Sequence, residues 1–161
     1  MTKHKLLVSA GLAVALSAGS YYAGVAAAKA PAKVEITPMA DMTWTPVMKE
    51  GPLPAVAPIE GDGTKGAYYG YLKLPAGFES PPHSHTNDYW AVLVQGQMTH
   101  WAADGGSEKD SKAIGVGGLV HMPGKLVHVS KCYPGADCIM AVVQKGKNDF
   151  IPAPAPKESK K

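Results

Sequence analysis

Gly77 to Gly96 reads GFESPPHSHTNDYWAVLVQG, and the fold is decided by what this stretch contains. Its second half, Tyr89 to Val94, is a strongly apolar strand closed by a turn around Gly96. Its first half carries His83 and His85 as an H-x-H pair. In an extended segment, residues i and i+2 point to one face, so both imidazoles are presented to the same point. Working outward, Met98–Ala102 is expected to return as the hairpin partner of Tyr89–Val94, followed by a polar loop over 104–112. Leu119–Met122 and Val127–Cys132 read as two more strands, separated by Pro123-Gly124, and Ile139–Val143 as another after Pro134-Gly135. Upstream, Ala67–Leu74 is an aromatic-rich strand preceded by a turn at Gly61-Asp62-Gly63. Residues 29–58 hold six prolines, so strands there should be short or at a sheet edge. No amphipathic helix, repeat or heptad appears. Short strands with turns about every 8–12 residues make the chain all-β, a barrel or a sandwich.

Composition agrees. Of 161 residues, 45% are hydrophobic, and Gly and Pro number 18 and 14, which suits one turn-rich domain and excludes both collagen and wholesale disorder. The 16 basic residues are all lysine, giving a net charge of +3. Without arginine the chain lacks the commonest bidentate reader of guanine and phosphate, so nucleic acid is not an expected partner.

Residues 1–28 read as a secretory signal peptide. MTKHK is a basic start, Leu6–Ala18 an uncharged apolar run, and Ala26-Ala27-Ala28 a small-residue cleavage site. The uncharged stretch to Ala28 is long enough to span a bilayer. Its second half, however, is mostly Ala, Gly, Ser and Tyr, which favours cleavage over anchoring. Taking 28 residues from 161 leaves 133, and losing Lys3 and Lys5 lowers the charge to +1. The expected location is the periplasm or beyond.

One constellation carries chemistry. His83 and His85 share a face, and His128 opens a later strand just after Pro123-Gly124. In a closed barrel strands distant in sequence meet across the interior, so three imidazole nitrogens can converge on one metal ion. Gly77, the H-x-H pair and Gly96 resemble the first motif of the cupin superfamily. Gly117, Gly118, Pro123 and His128, with Pro and His five positions apart, resemble the second. More narrowly, Leu74–Phe78, Pro82–Tyr89 and His128–Cys132 are similar to secreted single-domain cupins related to the cupin-like domain of zinc-binding anti-sigma factors.

That resemblance covers most of residues 55–150. It implies a double-stranded β-helix, a jelly-roll-like conical barrel with a divalent metal inside (Zn, Fe, Mn, Ni or Cu) held by His83, His85 and His128. The expected organisation is a signal peptide over 1–28, a Pro-rich extension over 29–54, the cupin domain over 55–151 and a disordered tail over 152–161. Many cupins add a glutamate three to five positions after H-x-H. Here that place falls to Tyr89, with Asp88 beside it; both are candidate additional ligands, and Tyr89 is the candidate catalytic residue. Three histidines without a carboxylate leave a site open to a small anionic or oxygenated ligand. The resemblance implies a dioxygenase, lyase or isomerase, or a non-catalytic sensing or binding module, and a homodimer. His100 and His121 read as bystanders.

Cys132 and Cys138 bracket a five-residue loop. They form a disulfide if the flanking strands make a hairpin. Alternatively Cys132, which shares a strand face with His128, points to the metal as a thiolate. No nucleophile elbow, P-loop, dinucleotide fingerprint or C-x-x-C is present.

Overall fold

Alternating burial along the apolar segments builds two antiparallel sheets whose inner faces enclose the core. The computed structural model describes residues 33–47 and 54–153. The proposed signal peptide and residues 154–161 lie outside the described residues. Residues 33–36, which carry no regular structure, belong to a separate N-terminal unit, and Thr37 begins the second unit, which holds all the strands described.

In chain order the strands are β1 (Thr45–Pro46), β2 (Ala55–Gly61), β3 (Tyr68–Leu74), β4 (His83–Ser84) and β5 (Tyr89–Gln95). They continue with β6 (Met98–Ala102), β7 (Leu119–Met122), β8 (His128–Cys132), β9 (Cys138–Gln144) and β10 (Ile151–Pro152). One sheet has the order β1-β2-β3-β9-β5-β7 and the other β10-β4-β8-β6. Strand β5 shows the period-two signature plainly: Tyr89, Ala91 and Leu93 are buried while Trp90, Val92 and Val94 are not. Across the sheet Leu93 pairs with Met140, and Met140 with Leu72, so these three share the inner face. On the facing sheet the inner row is Met98, His100 and Ala102 of β6, paired with Cys132, Ser130 and His128 of β8. The Pro-rich segment contributes the two-residue edge strand β1. The expectation of short or edge strands fails at its end: Ala55–Pro58 open the seven-residue β2, which lies between β1 and β3, with Pro58 beyond the β1 register and opposite Gly70.

Two hairpin expectations are corrected. Met98–Ala102 does not pair with Tyr89–Val94: β5 pairs with β7 and β9, whereas β6 pairs with β8 in the other sheet. The Gly96 turn, at φ 85°, hands the chain from one sheet to the other, so the two apolar inner faces stack instead of lying edge to edge. Likewise β8 and β9 are no hairpin. Cys132 and Cys138 are joined by a disulfide, with 5.7 Å between their Cα atoms. It ties one sheet to the other, which removes Cys132 as a thiolate ligand. The ordered chain also runs further than expected. Pro152, placed in the tail by sequence, pairs with His83 in β10, and the Ala153 amide donates to the Pro82 carbonyl.

Gly96 lies against this bridge. A Cβ there would come within 2.7 Å of the Asp137 carbonyl oxygen and 3.0 Å of Cys138 Sγ. Both the left-handed backbone and this close approach demand glycine. Gly96→Ala is expected to destabilise the protein by at least ~1 kcal/mol, read as a lowered midpoint in urea titration; an unchanged midpoint would mean that the turn relaxes freely.

Candidate metal centre

Strand pairing alone puts two of the three histidines together. His83 of β4 is the register partner of His128 of β8, and their ring centroids are 4.3 Å apart. His85, just beyond the end of β4, adds its ring 5.0 Å from His83 and 5.3 Å from His128. One ring nitrogen from each lies within 4.8 Å of the others.

Backbone carbonyls decide which nitrogens converge. His83 Nδ1 is 2.9 Å from the Pro81 carbonyl oxygen and His128 Nδ1 is 3.0 Å from that of Leu126. His85 Nδ1 donates to the Asp149 carbonyl. A nitrogen facing a carbonyl carries the proton, so each Nε2 is left as a bare lone pair. His128 Nε2 is buried without a hydrogen-bond partner. Such an orphan costs about 1–3 kcal/mol, a cost that a bound cation offsets. The three-imidazole donor set therefore fits a divalent ion.

Burial keeps the donors neutral. It lowers His83 from the usual 6.5 to about 4 and His128 to about 3, and it lowers His85 as well. Their carbonyl contacts oppose the shift without reversing it.

The segment after β9 fixes the outer wall. Asp149 accepts from the Thr86 amide at 2.8 Å and the Thr86 hydroxyl at 2.5 Å, clamping the loop that follows the H-x-H pair. Phe150 stacks on His83 with centroids 4.4 Å apart. From the other side, the Lys125 amide donates to the His85 carbonyl at 2.7 Å, with Lys125 held in the left-handed region at φ 67°. Asp149, Phe150 and Lys125 were invisible as site residues in the sequence because their contacts are long-range and partly through backbone.

Tyr89 faces inward. It is buried, its ring is 5.3 Å from that of His85, and its hydroxyl is 3.5 Å from His100 Nε2. Burial raises its pKa far above the usual value for a phenol. Asp88, the other candidate ligand, is corrected: its carboxylate lies outside, accepting from the Gly124 amide at 2.9 Å and meeting His121 Nε2 at 3.5 Å. The turn before β5 leaves its parity opposite to that of Tyr89. His121 stacks on Trp90 at 4.6 Å on the outer face.

His100 is no bystander. Its ring is 6.1 Å from that of His128, its Nδ1 is buried without a partner, and burial lowers its pKa to about 4. The signal was strand parity: His100 alternates with Met98 on the inner face of β6. Parity alone does not say which face of β6 turns inward; the pairing of β6 with β8 settles it.

Beside the histidines lies a cavity of about 570 Å³, lined by His83, His85 and Tyr89 together with apolar residues of β2, β3 and β9. Sites for small molecules typically span ~300–1,000 Å³.

No protein-family model and no curated protein matches the chain. Solved structures do. An RmlC-like cupin from Ralstonia eutropha JMP134 is 22% identical, with 71% of this chain and 69% of that one covered at a TM-score of 0.54. The polyketide cyclase RemF from Streptomyces resistomycificus is 15% identical over 78% and 89%, with a TM-score of 0.58. The DMSP lyase DddQ from Ruegeria pomeroyi is 17% identical over 70% and 61%, with a TM-score of 0.55. With two antiparallel sheets closed around an inward-facing histidine cluster, and with such neighbours, the chain is a cupin by fold.

Proposed function

We propose that this chain is an exported metal-binding cupin that holds a divalent ion through His83, His85 and His128 and coordinates a small anionic or oxygenated ligand there. The observation that carries this reading is the set of three Nδ1–H groups tied to backbone carbonyls, which turns three bare nitrogens toward one point. An all-imidazole set suits Zn²⁺, Fe²⁺, Mn²⁺, Ni²⁺ or Cu²⁺. A bound ion supplies Lewis-acid polarisation or an O₂-binding position. Three neutral ligands leave its charge uncompensated, which favours an anionic head.

Tyr89, kept protonated by burial, donates a hydrogen bond to the ligand, and His100 Nε2 accepts from the phenol when no ligand does. A dioxygenase, lyase or isomerase is the catalytic form of the reading, and a cyclase and a lyase among the fold neighbours accord with it. The fold does not choose the reaction. One observation favours a non-catalytic binding module instead: the two carboxylates lining the cavity, Asp149 and Asp62, are engaged by Thr86 and Lys65, which leaves no free carboxylate base in the lining among the described residues. Residues 1–28 support export. Exposed Tyr69, Val92, Leu119 and Val143 on the outer sheet face offer a surface for a homodimer.

Metal analysis tests the reading. The purified protein, offered each of the five ions in turn, is expected to retain about one equivalent of at least one of them; His83→Ala, His85→Ala and His128→Ala are expected to lose it, and Tyr89→Phe to keep it. Less than about a tenth of an equivalent in the native protein would refute the site. Removing the metal exposes a pH dependence. The unfolded chain takes up protons near 6.5, whereas folded His83 resists until about 4 and His128 until about 3. The stability that the metal-free protein draws from these neutral histidines is therefore fully present above pH 6.5 and is lost as pH falls through 4 toward 3. Thermal melts of chelated protein are expected to show that decline, and a flatter one in a His83→Ala, His128→Ala double variant.

A further inference from the structure

The cavity beside the histidines is chemically one-sided. Val56, Leu72 and Met140 stand in register on the inner faces of β2, β3 and β9, and with Val142, Phe78 and Phe150 they belong to its largely apolar wall. Phe150 lies parallel to His83, 16° from coplanar, so the apolar wall begins at the imidazole itself.

Several of the polar lining groups are already engaged, while the side chains of Thr45, Ser130 and Asn148 have no hydrogen-bond partner among the described residues. Ser80 Oγ accepts the Ser130 amide at 2.9 Å, and Gln144 Nε2 donates to the Lys147 carbonyl at 3.1 Å. Asp62 is bound to Lys65 at 2.7 Å and Asp149 to Thr86. No lysine is among the described lining residues, and the chain has no arginine. A sugar or polyol would find few free donors, and a second anionic group would meet two carboxylates and no cation.

Resting on the three-histidine reading above, we infer that the ligand is a molecule with one oxygenated head and an uncharged hydrocarbon or aromatic body: the head sits at His83, His85 and His128, and the body lies against Val56, Leu72 and Met140. Sugars, dicarboxylates and phosphate esters with polar bodies fit this largely apolar wall poorly. The size of the cavity sets the reach of the body, well beyond an acetate-sized ligand.

The test is a homologous series on the native protein. Zn²⁺ alone is titrated first. Acetate, butanoate, hexanoate, octanoate and octanedioate are then titrated by calorimetry into the zinc-loaded protein. Each methylene buried is worth roughly a three- to fourfold gain in affinity, so affinity is expected to climb steeply from acetate to octanoate, with octanedioate at least about tenfold weaker than octanoate. Leu72→Ser is expected to weaken octanoate while leaving acetate affinity and zinc content unchanged. A flat series, or octanedioate binding as well as octanoate, would overturn the inference while leaving the metal site standing. Should zinc itself fail to bind, the neutral fluorescent dye N-phenyl-1-naphthylamine is titrated into the metal-free protein. Saturable binding weakened by Leu72→Ser would uphold the apolar body site, and no binding would sink it.

Discussion

Three imidazole protons are fixed by three backbone carbonyls, those of Pro81, Leu126 and Asp149, and the character of the centre depends on that constraint. Each carbonyl belongs to the segment that shapes its histidine's surroundings. Pro81 leads into β4, Leu126 into β8, and Asp149 into the final strand β10. A histidine ring rotates freely unless something holds one nitrogen, and a ligand set is useful only when its lone pairs are already aimed. The barrel does this aiming with main chain, so side-chain substitutions elsewhere leave the orientation intact. The direct pairing of His83 with His128 supplies the remaining rigidity.

The rest of the architecture serves this point. The six-stranded sheet provides an apolar inner face, which lowers the basicity of the rings and raises that of the Tyr89 phenol by the same desolvation. The disulfide joins the two sheets on the inner face, in the strand that begins with His128. The Asp149–Thr86 clamp and the stack of Phe150 on His83 close the outer wall with residues that follow β9. A hydrophobic cavity, neutral nitrogen donors and a protonated phenol thus meet at one place.

Much of this was legible from sequence, and most of what was not is non-local. Strand existence follows from local alternation, so β3, β5, β7, β8 and β9 were visible within a residue or two of their ends. H-x-H parity, together with the resemblance of Gly117, Gly118, Pro123 and His128 to the second cupin motif, pointed to the triad. Strand partnership is not local: a glycine turn between two apolar strands reads the same whether it closes a hairpin or passes the chain to a facing sheet. That ambiguity at Gly96 leaves the partner of β6 open, and with it which face carries Met98 and His100 inward. Asp88 failed for the complementary reason. Beside an inward tyrosine it looked like a ligand, yet strand parity turns it outward to the Gly124 amide. Asp149 and Phe150 act through contacts some sixty residues apart in sequence, which no spacing rule encodes.

Anomalous diffraction from crystals of the zinc-loaded protein tests the centre most directly. A single strong peak at the zinc edge, coordinated by Nε2 of His83, His85 and His128 with each Nδ1 still on its carbonyl, is the expected result. A peak at the outer His121–Asp88 pair with none between the three histidines would contradict it.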